Sequence, residues 1–166
     1  RRNLKDYSLQ PTVTVMIVAH NEEKVIRNKL ENVTQLNYPK DKLQILVSSD
    51  NSTDKTNTIV NEFIKNNPNE NVVLYNVKRR KGKTNAQNEA QKLIKSEFIV
   101  MTDANALLDK NAVKELMASF VSENIAYVTG CLKYVNDSES MTSMSESTYW
   151  DSDVLIRDIE SRIQTI

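Results

Sequence analysis

Four segments of the chain place polar or charged side chains directly after a run of apolar residues. They read "AHNEE" (19–23), "SSDNSTD" (48–54), "KRRKGK" (78–83) and "TDAN" (102–105). Their side chains offer carboxylate and amide oxygens, one imidazole and a cluster of cations. Such oxygens are suitable ligands for Mg²⁺ or Mn²⁺, and clustered cations are suitable partners for a phosphate group. Together the segments predict a site for a phosphorylated ligand and a divalent metal.

The segment "TDAN" follows the apolar run 98–100 and holds Asp103 and Asn105 two positions apart. A divalent ion that takes most of its ligands from phosphate and water needs only one or two such oxygens from the protein. The alternative is an ordinary turn, because Asp and Asn side chains also satisfy nearby backbone groups. Since the Asn carbonyl is neutral, a metal held here would depend strongly on the charge of its phosphate ligand.

The basic segment "RRKGK" (79–83) precedes a predicted helix. Cations at a helix N-terminus oppose the helix dipole, so four of them in five positions indicate an anion site, with a solvated loop as the alternative. The chain has only two glycines, Gly82 and Gly130, so neither a P-loop nor a dinucleotide fingerprint is possible. A bound phosphate would therefore be neutralised by side-chain cations or by a metal.

The other polar residues at these strand ends each have an ordinary structural explanation as well. Asp50 could complete a turn, Glu22 could favour the dipole in the first turn of a helix, and His20 could be half-buried at the end of a strand. The coincidence of four such ends favours a site, because the carboxyl ends of parallel strands lie at one edge of their sheet, where ligands bind.

Apolar periodicity predicts strands that alternate with helices. Continuous β-branched runs are typical of strands buried on both faces, and Asn21 and the pair Ser52 and Thr53 are predicted to cap the helices that follow the first two strands. The predicted strands span 13–19, 43–49, 71–77, 97–102 and 125–135. This alternation predicts an α/β fold with three layers, α/β/α, around a mostly parallel sheet.

Length and composition limit the remaining possibilities. A chain of 166 residues is long enough for one domain with a substantial core. Its 22 Lys+Arg and 22 Asp+Glu residues balance to zero net charge, which gives no indication of nucleic-acid binding. The single cysteine, Cys131, cannot form an internal disulfide, and this fits a reducing, cytoplasmic location. No apolar run approaches the roughly 18 residues that a membrane span requires.

The four segments resemble the motifs of family 2 glycosyltransferases, whose GT-A fold is Rossmann-like and whose members include many bacterial polysaccharide and membrane-associated synthases. "VMIVAHNEE" resembles the family's first strand with its [YH]-N-E ending, and "VSSDNSTDKT" is similar to its D-[GN]-S-T-D segment. "KGKTNAQNEA" is similar to its G-K-x-x-A-x-N-x-A helix start, and "TDAN" to its D-x-D motif. The four lie in the family's order and spacing over residues 12 to 136.

The resemblance implies a role for each matching residue in binding a nucleotide sugar. Ala19 and His20 would border the base, with the His20 ring stacking where many relatives have Tyr. Asp50 would accept a hydrogen bond from a uracil ring nitrogen, which favours a UDP-sugar, and Glu22 would support the ribose side. Lys83 would reach towards the base or the diphosphate.

The remaining implied roles concern the metal and the reaction. Asp103 would contact the ribose and the metal, and Asn105 would coordinate Mn²⁺ or Mg²⁺ bridging the two phosphates. A saccharide or lipid-linked acceptor would attack the sugar with inversion of the anomeric centre. The resemblance also allows the full-length protein to be associated with the inner face of the plasma membrane.

The chain also departs from the family pattern. The family's general base lies in a later Glu-Asp motif, and no Glu-Asp pair occurs in these 166 residues. We therefore expect a donor-binding part, truncated before the acceptor half, with no catalytic base of its own. The expected organisation is an N-terminal extension (1–11), a nucleotide-sugar-binding domain (12–136), and a linker with a C-terminal amphipathic helix (137–166).

Three alternatives remain at this stage. A receiver domain would carry its phosphorylated aspartate after the third strand, where this chain has Arg and Lys. A nucleotidyltransferase would share the fold and the metal but would need a glycine-rich loop after the first strand. The third alternative is a nucleotide-binding module without catalytic activity.

Overall fold

A computed structural model of the chain describes residues 5–122 and 124–131. The strands are β1 (Val13–Ala19), β2 (Leu43–Ser49), β3 (Val72–Asn76) and β4 (Phe98–Asp103). The α-helices are α1 (Ile26–Thr34), α2 (Thr56–Asn66), α3 (Lys83–Ala90) and α4 (Ala112–Met117), and short 3₁₀ helices span Lys40–Lys42 and Gln91–Leu93. The four strands form one parallel sheet in the order β3-β2-β1-β4.

Helices cover the sheet on both faces. Alternate residues of β1, such as Val15 and Ile17, are fully buried in the main core cluster together with Leu30 of α1 and Val60 of α2. The residues between them, such as Met16, point to the other face of the sheet and pack in a smaller cluster that includes Ala90 of α3. The predicted α/β/α architecture with a parallel sheet is confirmed.

The predicted helix starts are wrong. Helix α1 begins at Ile26 and α2 at Thr56, and neither N-cap residue makes a side-chain capping bond. Asn21 instead adopts a left-handed backbone conformation with φ 57° and lies in the loop before α1. Asp54, rather than Ser52 or Thr53, accepts a hydrogen bond from the Thr56 backbone N–H (2.9 Å) at the start of α2. Contacts between loops, described below, occupy these polar side chains.

The fifth strand, predicted at 125–135, is absent from residues 125–131, and residues 132–135 lie outside the described residues. A strand needs a ladder partner, and in the described part of the chain no ladder joins this segment to the sheet. Tyr127 is 82% exposed. The predicted C-terminal helix also lies outside the described residues. Among those that are described, no helix is long and apolar enough to cross a bilayer.

Candidate functional site

A cleft of about 300 Å³ opens at the carboxyl ends of β1 and β4. Strand order reverses between these two neighbours, because β2 and β3 lie on one side of β1 and β4 lies on the other. Ligands of open α/β sheets bind at such a switch point. The cleft is lined by Val18, His20, Glu22, Asp50, Arg80, Gly82, Lys83, Asp103, Ala104 and Asn105. Six of the seven predicted site residues thus lie together, whereas Ala19 is buried and its carbonyl accepts the Asp50 backbone N–H (2.9 Å).

The loop after β1 is held against the loop after β2 by hydrogen bonds between side chains and backbone. The Asn21 Oδ1 atom accepts the Thr53 backbone N–H at 2.8 Å, and the Glu22 backbone N–H donates to Thr56 Oγ1, also at 2.8 Å. Asn tolerates the left-handed conformation that this loop requires better than most residues do. The loop that carries His20 and Glu22 is therefore fixed by residues about 30 positions further along the chain.

His20 forms a wall of the cleft in a defined orientation. Its Nδ1 atom lies 2.9 Å from the backbone carbonyl oxygen of Asp50. A carbonyl oxygen only accepts hydrogen bonds, so the Nδ1 atom carries the proton and donates it. This contact joins the end of β1 to the end of β2 and fixes the plane of the imidazole ring.

Asp50 holds the basic loop in place. Its side chain is nearly buried, with the residue 3% exposed. Its two oxygens accept the backbone N–H groups of Lys81 (3.1 Å) and Gly82 (2.9 Å). Gly82 has φ 90°, a conformation that residues with a Cβ rarely adopt, and it directly precedes helix α3. The conformation of the basic loop therefore depends on Asp50 as well as on its own glycine.

Lys83 crosses the cleft to form an ion pair with Asp103. Its ammonium donates to the Asp103 Oδ1 atom, and both side chains are more than half exposed. An exposed pair of this kind contributes little stability, on the order of 0–1 kcal/mol. Arg80 lines the same cleft. The ends of β3 and β4 therefore bring cations and a carboxylate to one place, as the sequence predicted.

Asp103 and Asn105 offer a carboxylate and an amide oxygen to the cleft. In the parts of the chain that the structure describes, no group of three or more His, Cys, Asp or Glu residues could hold a metal ion. A complete protein cage is thus not formed by these residues. The donor set does fit Mg²⁺ or Mn²⁺ bound mainly through phosphate oxygens and water, because such ions need only one or two protein ligands. The ion pair with Lys83 shows that the Asp103 carboxylate is accessible to a positively charged group in the cleft.

Sequence reasoning missed Lys29, which lies on α1 below the cleft. The residue is fully buried, and its ammonium donates to Thr102 Oγ1 at 2.8 Å and to the Ala106 carbonyl oxygen. Burial lowers the pKa of Lys29 to about 8, and the nearby charge of Asp103 opposes this effect. A signal was present in the sequence, because Lys29 stands three positions after Ile26 and four before Val33, on the apolar face of its helix.

Because folding lowers the pKa of Lys29, the stability of the protein should increase as the pH rises above about 8. Its folded pKa of about 8 lies below the ordinary 10.5, so the unfolded chain binds more protons between these two values. The free energy of unfolding should therefore rise with pH across this window, by at most ~3 kcal/mol, since a tenfold change in proton affinity is worth about 1.4 kcal/mol. Urea unfolding at about pH 7.5 and pH 10 measures the rise. Lys29→Met should lack this contribution, and an identical pH dependence in both proteins would contradict it.

Residues 14–162 match the family model described as Glycosyl transferase family 2. The chain belongs to this family. The resemblance seen in the four motifs is thereby confirmed. Among curated relatives, the family 2 chain is 36% identical over 143 residues to the probable glycosyltransferase YdaM of Bacillus subtilis (strain 168), and the match covers 85% of the chain and 33% of YdaM.

Solved glycosyltransferase structures share the fold. The mannosyltransferase PcManGT from Pyrobaculum calidifontis, in complex with GDP-Man and Mn²⁺, is 30% identical with a TM-score of 0.71, over 73% of this chain and 35% of that one. S. aureus TarS 1–349 in complex with UDP-GlcNAc is 27% identical with a TM-score of 0.57, over 62% of this chain and 29% of that one. The family 2 chain thus spans about a third of the length of these proteins.

Proposed function

We propose that this chain binds a nucleotide-sugar donor, with UDP-sugar as the expected class, for transfer of the sugar to a saccharide or lipid-linked acceptor. One observation carries the proposal. The cleft at the β1–β4 switch point combines a carboxylate and an amide, Asp103 and Asn105, with the cations Arg80 and Lys83. This arrangement suits a diphosphate whose charge is shared between protein cations and a divalent ion. PcManGT was solved with GDP-Man and TarS with UDP-GlcNAc, and both complexes support a nucleotide sugar as the ligand.

The roles of the residues in the cleft follow from their positions. The His20 ring forms a wall against which a base could stack, and its bond to the Asp50 carbonyl fixes it there. Asp50 can still accept a base N–H, because a carboxylate offers about four acceptor positions and two of them hold the basic loop. Glu22, which also lines the cleft, would support the ribose side. In this pose the ends of β1 and β2, which the His20–Asp50 hydrogen bond joins, would bind the base and so determine which nucleoside is preferred.

The diphosphate would lie towards the end of β4. When bound at Asp103 and Asn105, Mg²⁺ or Mn²⁺ would supply positive charge to the diphosphate as it departs. Arg80 and Lys83 supply further positive charge from the protein. Lys83 must leave Asp103, or share it, when a metal ion binds to this carboxylate. Since the present ion pair is exposed, this exchange is expected to have a small energetic cost.

Transfer would proceed by displacement at the anomeric carbon. An acceptor hydroxyl would attack from the face opposite the nucleoside diphosphate, so that the C–O bond to the phosphate breaks as the new one forms and the configuration inverts. The hydroxyl proton needs a base. The 166 residues contain no Glu-Asp pair, and we propose that they bind the donor without themselves providing that base.

Calorimetric titration of the chain with UDP and with GDP, each with Mn²⁺ and with EDTA, tests the proposal. We expect UDP to bind in the presence of Mn²⁺ at least about tenfold more tightly than in its absence, a difference of ~1.4 kcal/mol. UDP should also bind more tightly than GDP. No binding of either nucleotide with Mn²⁺ would contradict the proposed function, and a preference for GDP would overturn the UDP assignment alone. A parallel titration compares UTP with a UDP-sugar in the presence of Mn²⁺. Tighter binding of UTP would favour a nucleotidyltransferase instead.

A further inference from the structure

We propose that Lys29 is a positioning residue whose buried ammonium fixes the turn that presents Asp103 and Asn105 to the donor. The inference rests on the proposed function, since it concerns the same cleft. It adds a residue that is not among those lining the cleft and that lies on α1, outside the four motifs. No ligand is needed for its contacts, because all of them are made within the chain.

The contacts of Lys29 enclose the turn from both sides. Its ammonium donates to Thr102 Oγ1 (2.8 Å), just before Asp103, and to the carbonyl oxygen of Ala106, just after Asn105. The turn itself is closed by a weaker bond from the Ala106 N–H to the Asp103 carbonyl at 3.3 Å. The buried ammonium is thus the group that joins the two ends of the segment bearing both metal-ligand candidates.

A second residue on α1 extends this attachment. The Asn32 side chain pairs with both backbone groups of Leu108, donating from Nδ2 to the carbonyl oxygen and accepting the N–H at Oδ1, each at 2.8 Å. Lys29 and Asn32 are three positions apart and lie on one face of the helix. Helix α1 therefore holds the loop after β4 at points on both sides of the turn and at its far end. Asp103 itself is the last residue of β4 and is paired with Val18 of β1, so these contacts fix the turn that follows it and carries Asn105.

The charge of Lys29 requires an explanation beyond hydrogen bonding. A neutral donor could bond a hydroxyl and a carbonyl, whereas burying an ammonium carries a large desolvation penalty. Its positive charge is near enough to interact electrostatically with Asp103, while Lys83 forms an ion pair with the same carboxylate. Two ammonium groups therefore act on the Asp103 carboxylate, one from each side of the turn that it precedes.

The experiment compares the purified protein with three variants by calorimetry of UDP in the presence of Mn²⁺. Lys29→Met removes both bonds and the charge, and we expect the affinity to fall about 10- to 100-fold, as is typical for groups that orient metal ligands. Lys29→Gln keeps a donor without the charge and should show an intermediate loss. Lys40→Met is the matched control, because Lys40 bonds to Glu70 and to the Thr34 carbonyl, away from the turn. Its affinity should be unchanged.

Two further measurements distinguish positioning from general destabilisation. Amide hydrogen exchange should accelerate at residues 103–108 in Lys29→Met while the β1 amides remain protected. If this variant does not fold, Thr102→Val decides, since it removes one acceptor of the ammonium and should weaken Mn²⁺–UDP binding at least about threefold. Wild-type affinity in folded Lys29→Met, or in Thr102→Val, overturns the inference. If the unaltered protein bound neither UDP nor GDP in the presence of Mn²⁺, the proposed function would be overturned instead, and if it preferred GDP, the same variants would be compared with GDP.

Discussion

Replacing Asp103 with alanine is expected to abolish the Mn²⁺-dependent part of UDP binding. Asp103 is the carboxylate of the D-A-N turn, and the neutral Asn105 amide cannot replace its charge. The Asp50 carboxylate also lines the cleft, but its bonds to the Lys81 and Gly82 N–H groups hold it in place, so it cannot move into the position of the Asp103 carboxylate. We expect a loss of affinity on the order of a hundredfold, or ~2.7 kcal/mol, in titrations with Mn²⁺.

For UDP binding by Asp103→Ala in EDTA we expect no such loss of affinity. Removing Asp103 frees Lys83 from its ion pair, so metal-free UDP binding should be unchanged or slightly stronger. Because that pair is exposed, the free energy of unfolding should change by less than about 1 kcal/mol. Asp109→Ala is the control, since Asp109 lies in the same loop and bonds the Asn111 backbone N–H outside the cleft. Equal metal dependence in Asp103→Ala and the unaltered protein would rule out Asp103 as a metal ligand.

The sheet could be predicted from sequence because its strands are continuous β-branched runs, a local pattern that depends little on the rest of the molecule. The grouping of the candidate site residues could be predicted for a related reason. In a parallel sheet all the carboxyl ends face one edge, so the polar residues at 20, 22, 50, 83, 103 and 105 were expected to come together once the strands were known. The structure places these residues around one cleft.

The contacts within the site could not be predicted, because they join loops distant in the chain. Asn21 looks like a helix cap from its neighbours alone, yet its amide oxygen accepts the backbone N–H of Thr53. Lys29 looks like a misplaced charge on an apolar face until Thr102 and Ala106, more than 70 residues later, are placed above it. The predicted strand is absent from the described residues 125–131 for the same reason, since a β-pattern does not identify the neighbour that must complete its ladder.

Asp50→Asn should have the largest effect on stability among changes at the cleft. The carboxylate is nearly buried and accepts two backbone N–H groups, whereas an asparagine offers one acceptor oxygen and would turn its NH₂ towards the other donor. Losing one charge-assisted bond and leaving a donor unsatisfied should lower the free energy of unfolding by about 2–4 kcal/mol. Urea unfolding measures this loss, with the exposed Asp41→Asn as the matched control.

Asp50→Asn should also loosen the basic loop in the folded protein, because the Asp50 side chain attaches this loop to the end of β2. We expect faster amide exchange at Lys81 and Gly82, and weaker UDP binding both with and without Mn²⁺, since Arg80 and Lys83 would lose their common orientation. This pattern separates the two aspartates: Asp103→Ala should remove only the metal-dependent component, whereas Asp50→Asn should reduce both. If Asp50→Asn kept the Lys81 and Gly82 amides fully protected, the conformation of the basic loop would have to be set by Gly82 and helix α3 alone.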